Sequence, residues 1–277
     1  MDDIYTAIVE ARAKGRSGAL CTVIRARGSA PRHAGSKMLV YADGKLVGTV
    51  GGGEMENRVI AAARQIIQDG LPRVEHYELV DPQQGDPGVC GGEVDIFIEP
   101  IRPDPVVLVI GGGHVGKAIV HLAKWLGFRV ALADDRPEYC TPEWAPDADE
   151  YLPGPLADLP RRFTFHAETY IVMPTRGMPL DVEALPYLID APHAYLGVIG
   201  SRRRWATAVK ALTELGMPEE KLRGVHAPMG LELNAETPEE IAVSIMAEII
   251  MLRRGGTGEP MRQLRMRNAE QTNPLSK

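Results

Sequence analysis

The sequence is poor in the residues on which several classes of protein depend. Aromatic residues make up only 5% of the 277 residues, and the formal net charge is −6. Both values argue against a base-stacking or basic surface for nucleic acid. No apolar run approaches the roughly 20 residues that cross a bilayer, and the acidic N-terminus does not resemble a secretory signal. We therefore predict no nucleic-acid partner, no membrane partner and a cytoplasmic location.

Cysteine is also scarce. Cys21, Cys90 and Cys140 are odd in number and far apart in the sequence, so neither a disulfide framework nor a metal site is predicted. Cys21 lies in an apolar strand pattern and is expected in the core. Glycines on both sides of Cys90 favour an accessible, stabilised thiolate, whereas free cysteine is commonly a small buried residue. Both interpretations are open, and Cys90 is the candidate catalytic residue.

The order of predicted elements indicates two α/β domains. Three prolines within Pro100–Pro105 predict a linker, so residues 1–100 are expected to form one domain, 104–256 a second, and 257–277 a loose tail. Helix and hairpin patterns in the first domain predict a mixed sheet. Strands and helices alternate in the second domain, which predicts a Rossmann-like, doubly wound parallel sheet.

The first candidate site is an anion-binding surface within Gly28–Asn57. This stretch begins with small residues and cations, passes through a hairpin and ends on three glycines directly before a predicted helix. Backbone N–H groups of such a turn, together with the helix N-terminus, favour an anion. The alternative is a tight strand-to-helix turn with ordinary surface cations. The candidate ligand-binding residues are Ser29, Arg32, Lys37, Gly51, Gly52, Gly53 and Glu54.

The second candidate site is a dinucleotide-type turn in VLVIGGGHVGKAI. Its G-x-G-x-x-G pattern lies between a predicted strand and a predicted helix, and Asp134 ends the next strand about 20 residues later. An aspartate there is placed for a ribose hydroxyl and favours NAD or another nucleotide over NADP. The alternative is that the glycines serve helix–sheet packing and no dinucleotide binds. The candidate residues are Gly111, Gly113, His114, Gly116 and Asp134.

Two further loops follow buried strands and should face the same crevice. They contribute Arg176 and the pair Ser201 and Arg202. Three consecutive arginines at a helix start oppose the helix dipole, which indicates either phosphate binding or a salt-bridge network. The last predicted helix, over 239–254, is apolar on several sides and is expected to be buried, at a homodimer interface in one interpretation.

The motifs GSAPRHAGSKMLV, GTVGGGEMEN, VLVIGGGHVGKAI, YLGVIGSRRR and GLELNAETPEEIAVSIMAEI resemble the XdhC/CoxI family, the accessory proteins of molybdenum hydroxylases such as xanthine dehydrogenase. The resemblance covers essentially the whole chain. It implies a chaperone that binds the molybdenum cofactor (molybdopterin) and protects it while a cysteine desulfurase installs its sulfido ligand. The chaperone then delivers the cofactor to an apo molybdenum hydroxylase subunit.

Two residues depart from the family pattern. Glu54 stands where the family usually has cysteine, and Met178 stands where it often has histidine. Because Glu54 cannot relay sulfur, either Cys90 is the remaining candidate or this chain takes no part in sulfuration.

Three functions are therefore compared. The first is a non-catalytic cofactor chaperone whose ligand lies between the two glycine loops. The second is an NAD-dependent oxidoreductase that uses Asp134, although His114 with Lys117 is a poor proton-relay pair. The third is a docking protein with a degenerate nucleotide site.

Overall fold

The computed structural model describes residues 3–28, 30–78 and 92–262. They form two compact units, one comprising the described residues up to Asp104 with His166–Glu168, the other Pro105–Phe165 and the described residues from Thr169 onward. Ser29 and Cys90, both predicted site residues, lie outside the described residues. Within the described ranges, no helix is long and apolar enough to span a membrane.

The first unit is built on one five-stranded sheet. Its elements are α1 (Ile4–Ala13), β1 (Gly18–Arg27), β2 (Lys37–Tyr41), β3 (Leu46–Gly48), α2 (Gly53–Asp69), β4 (Arg73–Glu78) and β5 (Glu93–Ile101). The strand order is β3-β2-β1-β5-β4. All four pairings are antiparallel, where the sequence predicted mixed pairing. The reason is that α2 connects the two edge strands and so places no parallel neighbours side by side.

The strand β5 extends into the segment that was predicted to be a linker. Pro100 pairs with Ala19 of β1 and Ile101 pairs with Gly18. Proline is tolerated there because the neighbouring strand β4 begins at Arg73, which pairs with Ile98. Beyond Ile98 no strand of the described residues pairs with the outer side of β5, and proline is tolerated at such an unpaired edge.

Side-chain alternation divides the core of this unit between the two sheet faces. Ala19, Cys21 and Val23 of β1 pack with the buried stripe of α2, while Leu39 and Tyr41 of β2 pack with α1. Cys21 is fully buried, as predicted, and this burial raises the pKa of its thiol to about 12. A thiol with so high a pKa is unreactive near neutral pH.

The second unit contains a five-stranded parallel sheet with helices on both faces. Its elements are β6 (Val106–Ile110), α3 (His114–Trp125), β7 (Arg129–Asp134), β8 (Glu150–Pro153), α4 (Leu159–Arg162), β9 (Thr169–Met173), α5 (Met178–Leu188), β10 (Tyr195–Val198), α6 (Arg202–Glu214), α7 (Glu219–Leu222) and α8 (Pro238–Arg254). The order β10-β9-β6-β7-β8 is the Rossmann order, and the predicted α/β class is confirmed. The order reverses between β6 and β9, so the ligand crevice is expected there.

The helix α8 begins with a reciprocal capping box, as its sequence predicts. The Thr237 hydroxyl oxygen accepts from the Glu240 N–H at 3.2 Å, and the Glu240 carboxylate accepts from the Thr237 N–H at 3.0 Å. Ala242, Ile245 and neighbouring side chains are buried, but Val243 is 50% exposed. The helix is therefore buried along one side only within this chain.

Replacing Thr237 by alanine should lower the free energy of unfolding of the second unit by about 1 kcal/mol, because the capping acceptor is lost. All three tryptophans of the chain, Trp125, Trp144 and Trp205, belong to this unit, so urea denaturation followed by tryptophan fluorescence measures it. Thr213→Ala is the matched control, since the Thr213 hydroxyl only donates back to the Val209 carbonyl within α6. Equal stability of the two variants would contradict the expectation.

Candidate functional site

The three glycines before α2 have a backbone shape that other residues rarely adopt. The φ angles of Gly51, Gly52 and Gly53 are 149°, 82° and 68°, in the region that favours glycine. At Gly51 a Cβ atom would also lie 2.7 Å from the Pro31 ring. The triple glycine is thus required by the turn itself, whether or not a ligand binds.

The N–H groups of this turn already converge on a carboxylate of the chain. Glu56 Oε2 accepts from the Val50 and Gly52 N–H groups, both at 3.1 Å, and from the Thr49 hydroxyl. Burial alone would raise the pKa of Glu56, but these hydrogen bonds outweigh it and the pKa is lowered. The predicted anion cradle included Gly52 but not Val50, and the prediction overlooked the carboxylate of Glu56 as an internal acceptor. An acidic residue in the first helical turn was the available signal.

Lys37, one of the predicted cations, does not lie at that turn. Lys37 precedes Met38, whose side chain packs on the α2 face, so the alternation of the strand directs Lys37 to the opposite face. There the Lys37 ammonium donates to the Thr22 hydroxyl at 3.0 Å. Arg32 is exposed, and Glu54 is half-buried with one long hydrogen bond from the Asn57 amide, 3.4 Å. The expected grouping of Lys37 with the glycines is therefore wrong, because Lys37 and the glycine turn lie on opposite faces of the sheet.

In the second unit, close packing explains most of the glycine-rich turn after β6. A Cβ on Gly116 would lie 1.8 Å from the Gly111 carbonyl oxygen, and one on Gly112 would lie 2.1 Å from the Tyr139 carbonyl oxygen. At Gly111, where φ is 118°, a Cβ would lie 3.0 Å from the Pro174 carbonyl oxygen. Gly113 differs, since nothing lies within 4 Å of the position that a Cβ atom would take there. The open part of the turn is Gly113 and the start of α3.

Asp134, predicted to bind a ribose, is buried and fully engaged. One of its oxygens accepts from the Gly112 N–H at 2.7 Å and from Arg136 Nη2 at 3.1 Å. The other accepts from the Arg136 N–H at 2.9 Å and from Arg136 Nε at 3.0 Å. A carboxylate has about four acceptor positions, so none remains for a ribose hydroxyl. In this structure Asp134 fixes the glycine turn and does not present itself to a dinucleotide.

Arg176 reaches the crevice after β9, as predicted, but it is paired. Its guanidinium makes two hydrogen bonds to the Asp135 carboxylate, at 2.6 and 2.7 Å. These bonds hold the pKa of Asp135 below its usual value. Met178, which stands at the position where histidine was expected, is the first residue of α5. A ligand that recruits Arg176 must first take it from Asp135.

Arg204, the last of the three consecutive arginines, forms a hydrogen-bonded network. The sequence had left two interpretations of these arginines open, phosphate binding and a salt-bridge network. Arg204 donates to the buried Asp181 carboxylate at 2.6 and 3.1 Å and to the Thr175 hydroxyl at 2.7 Å. Burial raises the pKa of Asp181 despite these partners. Ser201 caps α6 by accepting from the Arg204 N–H at 3.1 Å. The salt-bridge interpretation of the arginine run therefore holds for Arg204.

Arg202 differs from its neighbour Arg204. It is exposed, and within the described ranges its side chain has no hydrogen bond or ion pair. It begins α6 directly after β10, at the carboxyl edge of the sheet. Arg202 is therefore available to an anionic ligand without breaking an existing pair.

Trp144, which no sequence motif predicted as a site residue, forms an aromatic cover over the glycine turn. The Trp144 indole N–H donates to the Gly112 carbonyl. His114 meets the Trp144 ring edge-on at 5.9 Å between centroids, and the Lys117 ammonium lies 4.6 Å above that ring. Trp144 is 32 residues from Gly112 in the chain, so local patterns could not reveal the contact. The predicted site residue His114 is exposed beside this cover.

The chemistry of the open groups is suited to holding an anion. Gly113, the first turn of α3 and Arg202 are among the groups that remain open in the described part of the chain. Within residues 3–28, 30–78 and 92–262, no group of three His, Cys, Asp or Glu side chains could hold a metal ion.

Comparison with known proteins decides the family. The profile of the XdhC Rossmann domain matches residues 107–249, and that of the XdhC and CoxI family matches residues 11–78. The chain belongs to the XdhC family. The resemblance found in the sequence motifs is thereby confirmed, and the open crevice at Gly113 lies within an XdhC Rossmann domain.

Individual relatives agree with this assignment. An uncharacterized Escherichia coli K12 protein, YqeB, is 35% identical over 260 residues, which are 92% of this chain and 47% of YqeB. A Bacillus subtilis 168 protein, a probable subunit of xanthine dehydrogenase, is 32% identical over 58% of this chain and 46% of its own. The chain thus matches about half the length of these two XdhC-family relatives.

A third relative aligns almost from end to end. The molybdenum cofactor insertion chaperone PaoD of Escherichia coli K12 is 24% identical over 88% of this chain and 86% of its own. A crystal structure of a xanthine dehydrogenase from Bacillus halodurans covers 93% of this chain and 97% of its own, with 23% identity and a TM-score of 0.49. That superposition is too loose to support an inference about function.

Glu56→Gln should loosen the first glycine turn in a pH-dependent way. The pKa of Glu56 is lowered in the folded protein. The ionised carboxylate therefore stabilises the turn at pH values above the pKa of the unfolded state, and this stabilisation is lost as the pH falls through the folded pKa. At pH 7 the amides of Val50 and Gly52 should exchange hydrogen about three- to tenfold faster in the variant. The ratio of variant to wild-type exchange rates should approach one in acid. Glu54→Gln is the control, and a ratio of one for Glu56→Gln at pH 7 would refute the role.

Gly116→Ala should destabilise the second unit by about 2–3 kcal/mol, because the new methyl group meets the Gly111 carbonyl and the turn must shift. Gly113→Ala is the matched control: its φ of −60° suits alanine and its surroundings are open. The control should lower stability by under about 1 kcal/mol. Urea denaturation monitored by tryptophan fluorescence compares the two, and equal losses would count against the packing role.

Proposed function

We propose that this XdhC-family chain is an accessory protein that binds the molybdenum cofactor and delivers it to a molybdenum hydroxylase of the xanthine dehydrogenase type. The observation that carries the proposal is the near end-to-end relationship to PaoD, a molybdenum cofactor insertion chaperone, joined with the two family matches. The cofactor is cargo here, and the chain's task is to hold it and release it.

The residues of the Rossmann crevice are compatible with the phosphate end of that cargo. Gly113 leaves open space in front of the first turn of α3, where N–H groups and the helix dipole favour a phosphate. Arg202 is an exposed cation with no partner among the described residues. The bound cofactor would supply the phosphate and the molybdenum–pterin chemistry, while this chain would supply N–H donors and the exposed cation Arg202.

The oxidoreductase alternative has less support. Its main residue, Asp134, has no acceptor position left for a ribose hydroxyl. Because Asp134 already binds the Gly112 N–H, it stabilises the glycine turn and does not recognise a dinucleotide. We therefore assign the crevice to cargo binding.

The remaining partners follow from the same proposal. A hydroxylase subunit receives the cofactor, and a cysteine desulfurase supplies sulfur while the cofactor is held. Because Glu54 occupies the position of the family cysteine, sulfur transfer through that position is ruled out by chemistry, and Cys90 is the thiol to test. A homodimer and a cytoplasmic location complete the proposal.

The test is to purify the full chain from cells that make the molybdenum cofactor and to identify the retained ligand by mass spectrometry. A pterin should be found, and adding the loaded protein to an apo molybdenum hydroxylase should restore its activity. Arg202→Gln should weaken pterin retention roughly three- to tenfold, because a charged hydrogen bond to phosphate is lost. Arg223→Gln, an exposed arginine on another surface, is the matched control.

Two outcomes would reject the proposal. One is tight binding of NAD with no affinity for the molybdenum cofactor. The other is retention of the pterin without transfer to any apo hydroxylase of this type. That result would fit storage of the cofactor and would exclude its delivery.

A further inference from the structure

The side of α8 that faces away from the core carries an apolar stripe. Val243 is 50% exposed and Ile250 is 38% exposed, and Ala247 between them is half-buried. These residues are spaced four and three positions apart, so they lie along one side of the helix. The buried residues Ala242 and Ile249 occupy the other side. The stripe therefore belongs to a helix with two apolar sides, of which the core of this chain covers one.

Opposite charges stand at the two ends of the stripe. Glu239 lies four residues before Val243, and Arg254 lies four residues after Ile250, so both are on the side of the stripe. Both are exposed, and neither makes an ion pair within the described ranges. We call these four residues with Ala247 the outer face of α8. It is acidic at the start of the helix, apolar in the middle and basic at the end.

The neighbouring charges at the ends of α8 are held by groups of the same chain. The Glu240 carboxylate accepts from the Glu236 N–H at 2.9 Å and from the Thr237 N–H at 3.0 Å. The Arg253 guanidinium lies over the Phe128 ring, 5.1 Å from its centroid. The two charges of the outer face are therefore the end charges that remain open to a partner.

A second copy of α8 in antiparallel orientation matches the outer face residue by residue. In that arrangement Val243 comes opposite Ile250 of the second copy, and Glu239 comes opposite its Arg254. Both pairs fit one register, since Glu239 and Arg254 are equidistant from the midpoint between Val243 and Ile250. Ala247 lies beside the two-fold axis, where its small side chain lets the two helix backbones approach closely.

The charges decide the orientation of the two helices. A parallel pairing would bring Glu239 against Glu239 and Arg254 against Arg254, and like charges opposite each other disfavour association. The antiparallel pairing also brings the positive end of one helix dipole beside the negative end of the other. A partner of different sequence would have to reproduce this order of charges, whereas a second copy of the chain supplies it without further requirement.

The size of the face indicates weak association. A helix of 17 residues is about 25 Å long, and the contact of two such helices buries less than the roughly 1,600 Å² of a standard protein–protein interface. The contact should therefore form and dissociate readily, with a dependence on protein concentration.

We propose that the outer face of α8 is a homodimer interface, in which two antiparallel copies of α8 pack about a two-fold axis beside Ala247. This inference rests on the homodimer named with the proposed function and assigns its surface and orientation. The transfer of the cofactor is measured separately, by reactivation of an apo hydroxylase, so the failure of either statement leaves the other intact.

The first test measures the sedimentation velocity of the full chain from about 1 to 100 µM. The wild type should shift from monomer to dimer over this range. Ile250→Glu should weaken association at least about tenfold, because it places a charge in the apolar centre of the contact. Leu252→Glu is the matched control, since Leu252 is 44% exposed on another side of the same helix, and it should dimerise as the wild type does.

The second test reverses the end charges. Glu239→Arg and Arg254→Glu each place like charges opposite one another at both ends of the contact, so each variant alone should associate about tenfold more weakly. An equimolar mixture of the two variants pairs opposite charges at both ends and should regain the dimer. Because mixing does not alter the fold of either variant, this recovery separates a change in the interface from a loss of stability.

Three results would overturn the proposal. One is a wild-type chain that stays monomeric at about 100 µM, as expected if another protein or another segment of the chain covers the face. Another is a dimer that Ile250→Glu does not weaken. The third is a mixture of the charge variants that associates no better than each variant alone, and this result decides the matter even if Ile250→Glu does not fold.

Discussion

The interaction between a carboxylate and the N–H groups of a glycine turn shapes both units of this protein. In the first unit Glu56 gathers the Val50 and Gly52 amides beside the start of α2. In the second, Asp134 holds the Gly112 amide beside the start of α3. Each turn joins a strand to a helix, and its unpaired N–H groups have few other acceptors nearby. The carboxylate therefore fixes the backbone conformation of the turn, and the turn fixes where the helix begins.

Once these donors are taken, the open part of each turn is small. It consists of the last glycine and the first helical residues, namely Gly53 with Glu54 in one unit and Gly113 with His114 in the other. In the second unit the Arg204–Asp181–Thr175 network fixes the neighbouring loop, while Arg202 remains exposed. Among the described residues, few groups at these two turns are therefore left without an internal partner.

Much of the fold could be predicted from the sequence, because its signals are local. The βαβ alternation, the Rossmann turn and the capping box of α8 each depend on residues within a few positions of one another. The contacts that define the site are of longer range. Spacing placed Asp134 at the end of the strand beside the glycine turn, but its saturation by Arg136 and Gly112 depends on side-chain geometry. Trp144 covers Gly112 from 32 residues away. Lys37 was grouped with the glycines because the alternation of side chains along β2 was not applied to it.

The internal carboxylates also bear on how tightly any cargo could be held at these turns. Glu56 and Asp134 are tethered to the amides they bind, so their effective concentration there is far above that of a free ligand. Under the proposed function, a cargo phosphate would not readily displace them and would meet only the outer edge of each turn. A carrier of that kind would bind its cargo through the margin of a preformed surface, and such binding would be readily reversed.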